Sequence, residues 1–117
     1  MAARTHNIQI EQGTTFREKF QVLNEDGNAI DLAGYTVRSH MRTGYGASSF
    51  IVFAIENVNL SAGEFNLTLT DTQTTDLDPL GNAANKQVYD IELVDLTGEV
   101  VRFVQGTVKV SPEVTKT

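Results

Sequence analysis

The stretch Gly63-Glu64-Phe65-Asn66-Leu67-Thr68-Leu69-Thr70 decides the fold class of this chain. Apolar and polar side chains alternate through it, which is the pattern of a β-strand with one buried and one solvent-facing side. The residues before it, 59–63, end in glycine and predict a turn, and the residues after it lose the alternation. The chain therefore contains at least one half-buried strand with a turn before it.

Runs with the same period of two lie on both sides of this strand and predict about seven strands in all. Two positions disturb the pattern. Glu18 lies on an apolar parity and the last run changes phase around Gly106, and a β-bulge would account for each. The core-facing residues of the other runs are Ile8 and Ile10; Phe16, Phe20 and Val22; Tyr35, Val37 and Met41; Ile51, Phe53 and Ile55; Tyr89, Ile91 and Leu93; and Val101, Phe103, Val108 and Val110.

Turn signals separate the runs at residues 24–28, 43–49, 59–63 and 95–98. Residues 70–77 break the alternation, and Thr70 is a candidate N-cap. They predict a single helical turn that crosses from one sheet to the other and stops before Pro79. Closely spaced strands with one such crossing predict an all-β fold, either an antiparallel β-sandwich or a barrel.

The length of 117 residues fits one domain, residues 1–117, in which 1–6 and 111–117 are expected as extended tails. A net charge of −6 argues against nucleic acid and against an anionic membrane as partners. The absence of cysteine excludes disulfides and thiolate metal sites. The N-terminus has no secretory signal, and the longest apolar run, residues 50–55, has only strand length, so we expect synthesis and assembly in a cytoplasm.

No residue pattern predicts catalysis, a cofactor or a bound metal. His6 is expected in a frayed N-terminus, and His40 lies between two arginines, which disfavours a bound cation. Residues 24–28 resemble the start of a calcium loop, yet Ala29 and Tyr35 replace the glycine and the glutamate that such a loop needs. Aspartates in turns usually cap their own backbone. Neither a nucleophile elbow nor a phosphate-binding glycine loop is present.

The remaining candidates are a basic stripe along one strand and the aromatic loop that follows it. The stripe is either a solvated face with cross-strand charge pairs to Asp90 and Glu92 or a contact for an acidic partner. The loop of residues 43–49 leads into Phe50, and aromatic residues on glycine-rich loops suit interfaces. The two tails could also add strands to a neighbouring molecule. The candidate interface residues are Arg38, His40, Arg42, Tyr45 and Phe50.

The chain resembles the small immunoglobulin-like β-sandwich domain of virion structural proteins from tailed bacteriophages. The relatives include the N-terminal domains of upper baseplate proteins and the virion proteins of cyanophage-like viruses. The resemblance covers roughly residues 7–114. It is carried by Ile10-Glu11-Gln12-Gly13-Thr14-Thr15-Phe16, Asp26-Gly27, Asp31-Leu32-Ala33-Gly34-Tyr35-Thr36-Val37, Met41-Arg42, the stretch 63–70, Thr75, Val88-Tyr89-Asp90-Ile91-Glu92-Leu93, Gly98 and Gly106-Thr107-Val108.

This resemblance implies architecture and setting but no catalytic residue. It implies an immunoglobulin-like sandwich in which Thr70 caps the crossing turn and the Tyr89 hydroxyl bonds to backbone. It also implies a non-enzymatic virion component: an adaptor or cement protein of the tail, baseplate or neck, present in several copies and bound to other virion proteins. Two alternatives stay open, namely capsid decoration on the major capsid protein and a carbohydrate-binding module that uses Tyr45. An enzyme is the weakest hypothesis.

Overall fold

A computed structural model describes residues 4–42, 50–77 and 87–111 of the chain. These residues form two β-sheets, a single 3₁₀ turn at Leu60–Ala62 and one short helix, α1 (Asp71–Thr75). The strands of the described chain are β1 (Arg4–Thr5), β2 (Ile8–Glu11), β3 (Phe16–Gln21), β4 (Thr36–Arg42), β5 (Ile51–Val52), β6 (Ala54–Asn59), β7 (Glu64–Leu69), β8 (Gln87–Val94) and β9 (Val100–Ser111).

The two sheets pack as a β-sandwich, which confirms the predicted all-β class. The larger sheet has the order β1-β9-β8-β4-β5, and β2 also pairs with β9. The smaller sheet has the order β3-β7-β6. Most neighbours are antiparallel as predicted, but β1 and β2 both run parallel to β9. The first and last strands of the described chain therefore lie side by side at one edge of the larger sheet.

The core lies between the sheets and contains the alternating residues that the sequence predicts. Phe65, Leu67 and Leu69 of β7 are buried, as are Tyr89 and Ile91 of β8 on the opposite sheet. Burial of this apolar surface is the main stabilising contribution, at about 25 cal/mol for each Å² removed from water. Among the described helices, none is long and apolar enough to cross a membrane.

The run predicted as one strand around Phe53 is two strands in different sheets. Ile51–Val52 pairs with β4 in the larger sheet, whereas Ala54–Asn59 pairs with β7 in the smaller one. Phe53 lies at the change of sheet with its side chain buried in the core. A chain that passes from one sheet to the other keeps the same apolar alternation, so the period of two alone does not reveal the crossing.

Residues 4–6 and 111, which the sequence predicts in the tails, belong to or bond with the larger sheet. Arg4–Thr5 is a strand on β9, and the His6 backbone N–H donates to the Gln105 carbonyl over 3.0 Å, so His6 does not lie in a frayed end. Ser111 ends β9, and its carbonyl accepts from the Gln12 N–H over 2.9 Å. Residues 1–3 and 112–117 lie outside the described chain.

The bulge predicted at Glu18 is wrong, whereas the phase change predicted in the last run is confirmed but lies at Phe103 and not at Gly106. β3 pairs with β7 without a register shift, from Phe16 opposite Leu69 to Gln21 opposite Glu64, so Glu18 is accommodated in the regular ladder. The register of β9 does shift, but the extra residue is Phe103, between the partners of Ile91 and Glu92. Gly106 has another reason to be glycine, because a Cβ there would lie 2.8 Å from the carbonyl carbon of His6.

The helical crossing is confirmed, and its N-terminus carries a capping box. The Thr70 hydroxyl accepts from the Gln73 N–H over 3.1 Å, and the Gln73 side chain accepts from the Thr70 N–H over 2.8 Å. Such reciprocal bonds satisfy donors that a helix start leaves unpaired. The helix ends at Thr75, before Pro79, which lies outside the described residues.

Candidate functional site

Alternation along β4 places the basic stripe on the outer face of the larger sheet. Ser39 and Met41 are buried and point into the sandwich, so Arg38, His40 and Arg42 point away from it. The Ser39 hydroxyl donates to the Asp90 carbonyl over 2.5 Å, which satisfies the one polar group that β4 buries beside the core. The strand thus presents two guanidinium groups and one imidazole at alternate positions on its outer face.

Phe50 lies over this stripe. Its ring is stacked on the His40 ring at a centroid distance of 4.3 Å and an interplanar angle of 13°. The Arg42 guanidinium carbon lies 4.7 Å from the Phe50 centroid, within cation–π range. Phe50 nevertheless remains 47% exposed, and Val52, opposite His40 on β5, is 52% exposed. We call Arg38, His40, Arg42, Phe50 and Val52 the aromatic–basic patch.

Charge pairs cross the strands beside the patch. Arg38 Nε donates to Glu92 Oε1 over 2.7 Å, which is one of the cross-strand charge pairs predicted for a solvated face. Asp90 lies opposite His40 in the strand register and forms an ion pair with Arg102 of β9, with Nε and Oδ2 3.5 Å apart. The stripe is therefore partly neutralised by its neighbours and is not a purely basic surface.

These side chains line a trough of about 280 Å³ on the outer face. Burial raises the pKa of Asp90, and the Glu92 charge raises it further, whereas Arg102, His40 and Arg42 act in the opposite direction. Gln105 also lines the trough. The trough offers charged groups and a planar amide next to an exposed aromatic ring, which suits a polar ligand or a protein side chain.

The structure brings four of the five predicted interface residues together. Arg38, His40, Arg42 and Phe50 form one continuous surface, and Tyr45 lies outside the described residues. The sequence analysis did not identify Val52 and Arg102 as part of this surface. Both alternate with a core residue, Ile51 or Phe103, and this alternation predicts that they point outward. Only the strand pairing shows that Val52 lies beside β4 and that Arg102 lies beside Asp90.

His6 makes contacts with both sheets of the sandwich. Its Nε2 lies 2.5 Å from Glu18 Oε2 of the smaller sheet, and its carbonyl accepts from the Tyr89 hydroxyl, also over 2.5 Å. The His6 ring meets the edge of Phe20 at a centroid distance of 5.6 Å. These contacts connect the N-terminal strand to both sheets, and they account for the polar Glu18 on an apolar parity.

The turn carboxylates and amides cap their own backbones. Asn24 Oδ1 accepts from the N–H groups of Asp26 and Asn28, at 2.9 and 3.0 Å, where the sequence resembled a calcium loop. Asp95 Oδ1 accepts from Thr97 and Glu99 in the same way. Within residues 4–42, 50–77 and 87–111, no three His, Asp or Glu side chains are grouped so that they could hold a metal.

No protein-family model matches this sequence, and no curated protein matches it significantly. The candidate site therefore stands on its own geometry: an exposed aromatic ring and a valine beside paired charges on a flat sheet face.

Proposed function

We propose that this chain is a non-enzymatic structural component of a tailed-phage virion. It acts as an adaptor or cement protein of the tail, baseplate or neck, and it binds other virion proteins through the aromatic–basic patch. The observation that carries the proposal is the exposure of Phe50 and Val52 next to Arg38, His40 and Arg42 on one sheet face.

The composition of the patch supports a protein partner. Aromatic residues and arginine are enriched in the centres of protein interfaces, and hot spots are enriched in arginine. The stacking of Phe50 on His40 holds the ring in place before a partner arrives, so little rotamer freedom remains to be lost on binding. The charged pairs around the ring fix the orientation in which a partner binds.

The virion setting rests on the resemblance in the sequence. The residues that carry it have structural tasks in this chain: Gly13 and Gly34 have positive φ angles, Thr70 caps α1 and Tyr89 bonds to the His6 backbone. These positions support the fold and carry no chemistry, and the exposed patch suits a protein whose task is attachment. Capsid decoration is the alternative location.

Protein composition of purified particles tests the proposal. The chain is expected in particles of the phage that encodes it, at a copy number that matches tail proteins and not the major capsid protein. Phe50→Ala should reduce incorporation severalfold, whereas Val58→Ala, which removes an equally exposed side chain from β6, should not. Absence of the wild-type chain from particles would overturn the proposal, and a copy number near that of the capsid protein would favour decoration.

The trough supports a second candidate, carbohydrate binding. Sugars are held by planar polar side chains that hydrogen-bond to hydroxyls and by aromatic rings that cover their apolar faces. Asp90, Arg102 and Gln105 line the trough together with His40, on which Phe50 is stacked. A glycan array with the purified chain would detect such binding. Signals that Phe50→Ala and Arg102→Ala both remove would favour this function over protein attachment.

A further inference from the structure

One end of the sandwich is acidic and carries an exposed leucine. Residues 31–34 and 95–99 meet there, since β4 begins opposite the end of β8 and the Leu96 side chain lies over Gly34. We call these two segments the turn end. They contain no lysine or arginine, and Leu96 is 79% exposed. The carboxylates of the turn end are Asp31, Asp95 and Glu99.

The local structure keeps the turn end rigid and negatively charged. Asp31 Oδ1 accepts from the Ala33 N–H over 2.9 Å, and Asp95 Oδ1 accepts from three donors of residues 97 and 99. The bond from the Thr97 hydroxyl is the main cause that lowers the pKa of Asp95. The leucine thus projects from a turn that bonds to the Asp95 side chain hold in place, with carboxylates at residues 95 and 99.

The aromatic–basic patch has the complementary chemistry. It combines exposed apolar Phe50 and Val52 with cations, and the described residues that line its trough include three arginines and two carboxylates. The two surfaces cannot meet within one molecule, because Arg42 and Thr36 mark opposite ends of β4, whose seven residues span roughly 20 Å. An exposed leucine flanked by carboxylates on one copy is complementary to exposed apolar side chains flanked by arginines on another.

We infer that copies of this chain bind head to tail, with the turn end of one copy on the aromatic–basic patch of the next. This inference deepens the proposed function, on which it rests, by naming a second copy of the chain as the partner of the patch. A contact between two different surfaces is heterologous, so it produces a ring if the rotation closes and a filament if it does not.

Sedimentation velocity on the purified full chain over a range of concentrations tests the inference. We expect concentration-dependent oligomers at low salt that dissociate as the salt rises from about 0.05 M to about 0.5 M, since the Debye length shortens several-fold. Arg38→Glu should weaken association roughly tenfold or more. Arg17→Glu is the matched control, because Arg17 is also an exposed arginine paired with a glutamate but lies on the smaller sheet.

A mixing experiment separates this arrangement from every symmetric one. Arg38→Glu damages only the patch, and Leu96→Arg damages only the turn end. Each variant alone should be monomeric, yet an equimolar mixture should form a 1:1 dimer through the one intact pair of surfaces. A mixture that stays monomeric would overturn the head-to-tail contact, and so would a Leu96→Arg variant that still associates on its own, since its patch would then bind a second patch. Circular dichroism of each variant checks that it is folded.

Failure of the self-association can be distinguished from failure of the proposed function. A wild-type chain that is monomeric at all concentrations but present in particles would overturn the self-association and leave the virion role intact. A chain that assembles head to tail but is absent from particles would overturn the virion role and leave the self-association intact.

Discussion

At the scale of single residues, Tyr89 shows how one polar atom can decide where a terminal strand lies. Its ring is buried against Phe53, and its hydroxyl donates to the His6 carbonyl over 2.5 Å. The sequence predicted a bond from this hydroxyl to backbone, which is confirmed, but not the identity of the acceptor. Burial, and to a lesser extent the charge of Glu18, raises the pKa of the Tyr89 phenol.

The raised pKa predicts a loss of stability at alkaline pH. In the unfolded chain the phenol loses its proton near pH 10, its ordinary value, while the folded chain keeps it. The unfolded state then binds fewer protons, so the free energy of unfolding falls by up to about 1.4 kcal/mol for each pH unit above that value. Urea denaturation at several pH values between about 8 and 11 measures this slope.

Tyr89→Phe is the variant that isolates this effect. It should cost about 1 kcal/mol at neutral pH through the lost hydrogen bond, and it should flatten the alkaline slope. Tyr35→Phe is the control, since Tyr35 is only partly buried against the core. An alkaline slope that is the same in wild type and Tyr89→Phe would contradict the prediction.

Gly106 gives a second residue-scale prediction. Gly106→Ala should destabilise the fold by about 1–3 kcal/mol, because the new Cβ would press on the His6 backbone. The same substitution in a chain that starts at Asn7 should cost much less, since the contact is then missing. Thermal or urea denaturation of the four chains gives the coupling energy. Additive costs would show that the glycine matters for a reason other than this close approach.

At the scale of elements, α1 is a five-residue helix held by its capping box and by bonds to residues 12–14. The buried Thr74 hydroxyl donates to the Thr14 carbonyl over 2.7 Å and accepts from the Gly13 N–H over 3.1 Å. The Gln12 side chain donates to the carbonyls of Thr75 and Leu77, both over 3.0 Å. Isolated helices of this length do not form in water, so the capping box and these contacts stabilise it.

Removal of the cap should therefore be measurable in the whole fold. Thr70→Ala deletes the hydroxyl that accepts from the Gln73 N–H and should lower the free energy of unfolding by about 1 kcal/mol. Thr72→Ala, at an exposed position of the same helix, serves as the matched control and should change stability by less than half as much. Equal effects of the two variants on the urea midpoint would exclude a special contribution of the cap.

At the scale of the whole molecule, the N-terminal segment closes the sandwich. β1 and β2 cover one edge of the larger sheet, and His6 between them contacts Glu18 of the smaller sheet and Tyr89 of the larger one. An uncovered sheet edge is a template for unwanted pairing, so this segment also protects β9.

Truncation tests this closure. A chain that starts at Asn7 loses the pairing of β1 with β9, the bond from the His6 N–H to Gln105 and the Tyr89 bond, and it should be less stable by about 2–3 kcal/mol. His6→Ala removes the partly exposed pair with Glu18 and the ring contact with Phe20 but keeps the backbone bonds, and it should cost about 1 kcal/mol. An unchanged urea midpoint in the truncated chain would mean that the segment only lies on the sheet without stabilising it.

The sequence by itself determined the all-β class, the core residues of the strands, the crossing turn with its Thr70 cap and the outward direction of Arg38, His40 and Arg42. These follow from periodicity and turn chemistry, which are local properties of the chain. The patch was only partly predictable. Phe50 was a candidate, but its stacking on His40 depends on how β5 pairs with β4.

Only the tertiary structure decided the change of sheet at Phe53, the bulge at Phe103, the parallel pairing of β1 and β2 with β9, and the acceptor of the Tyr89 hydroxyl. The physical reason is that each depends on which strand lies next to which. Apolar alternation is identical for a strand in either sheet and in either direction. Pairing is selected by the packing of the complete core, so residues far apart in the chain, such as His6 and Gly106, determine one another's positions.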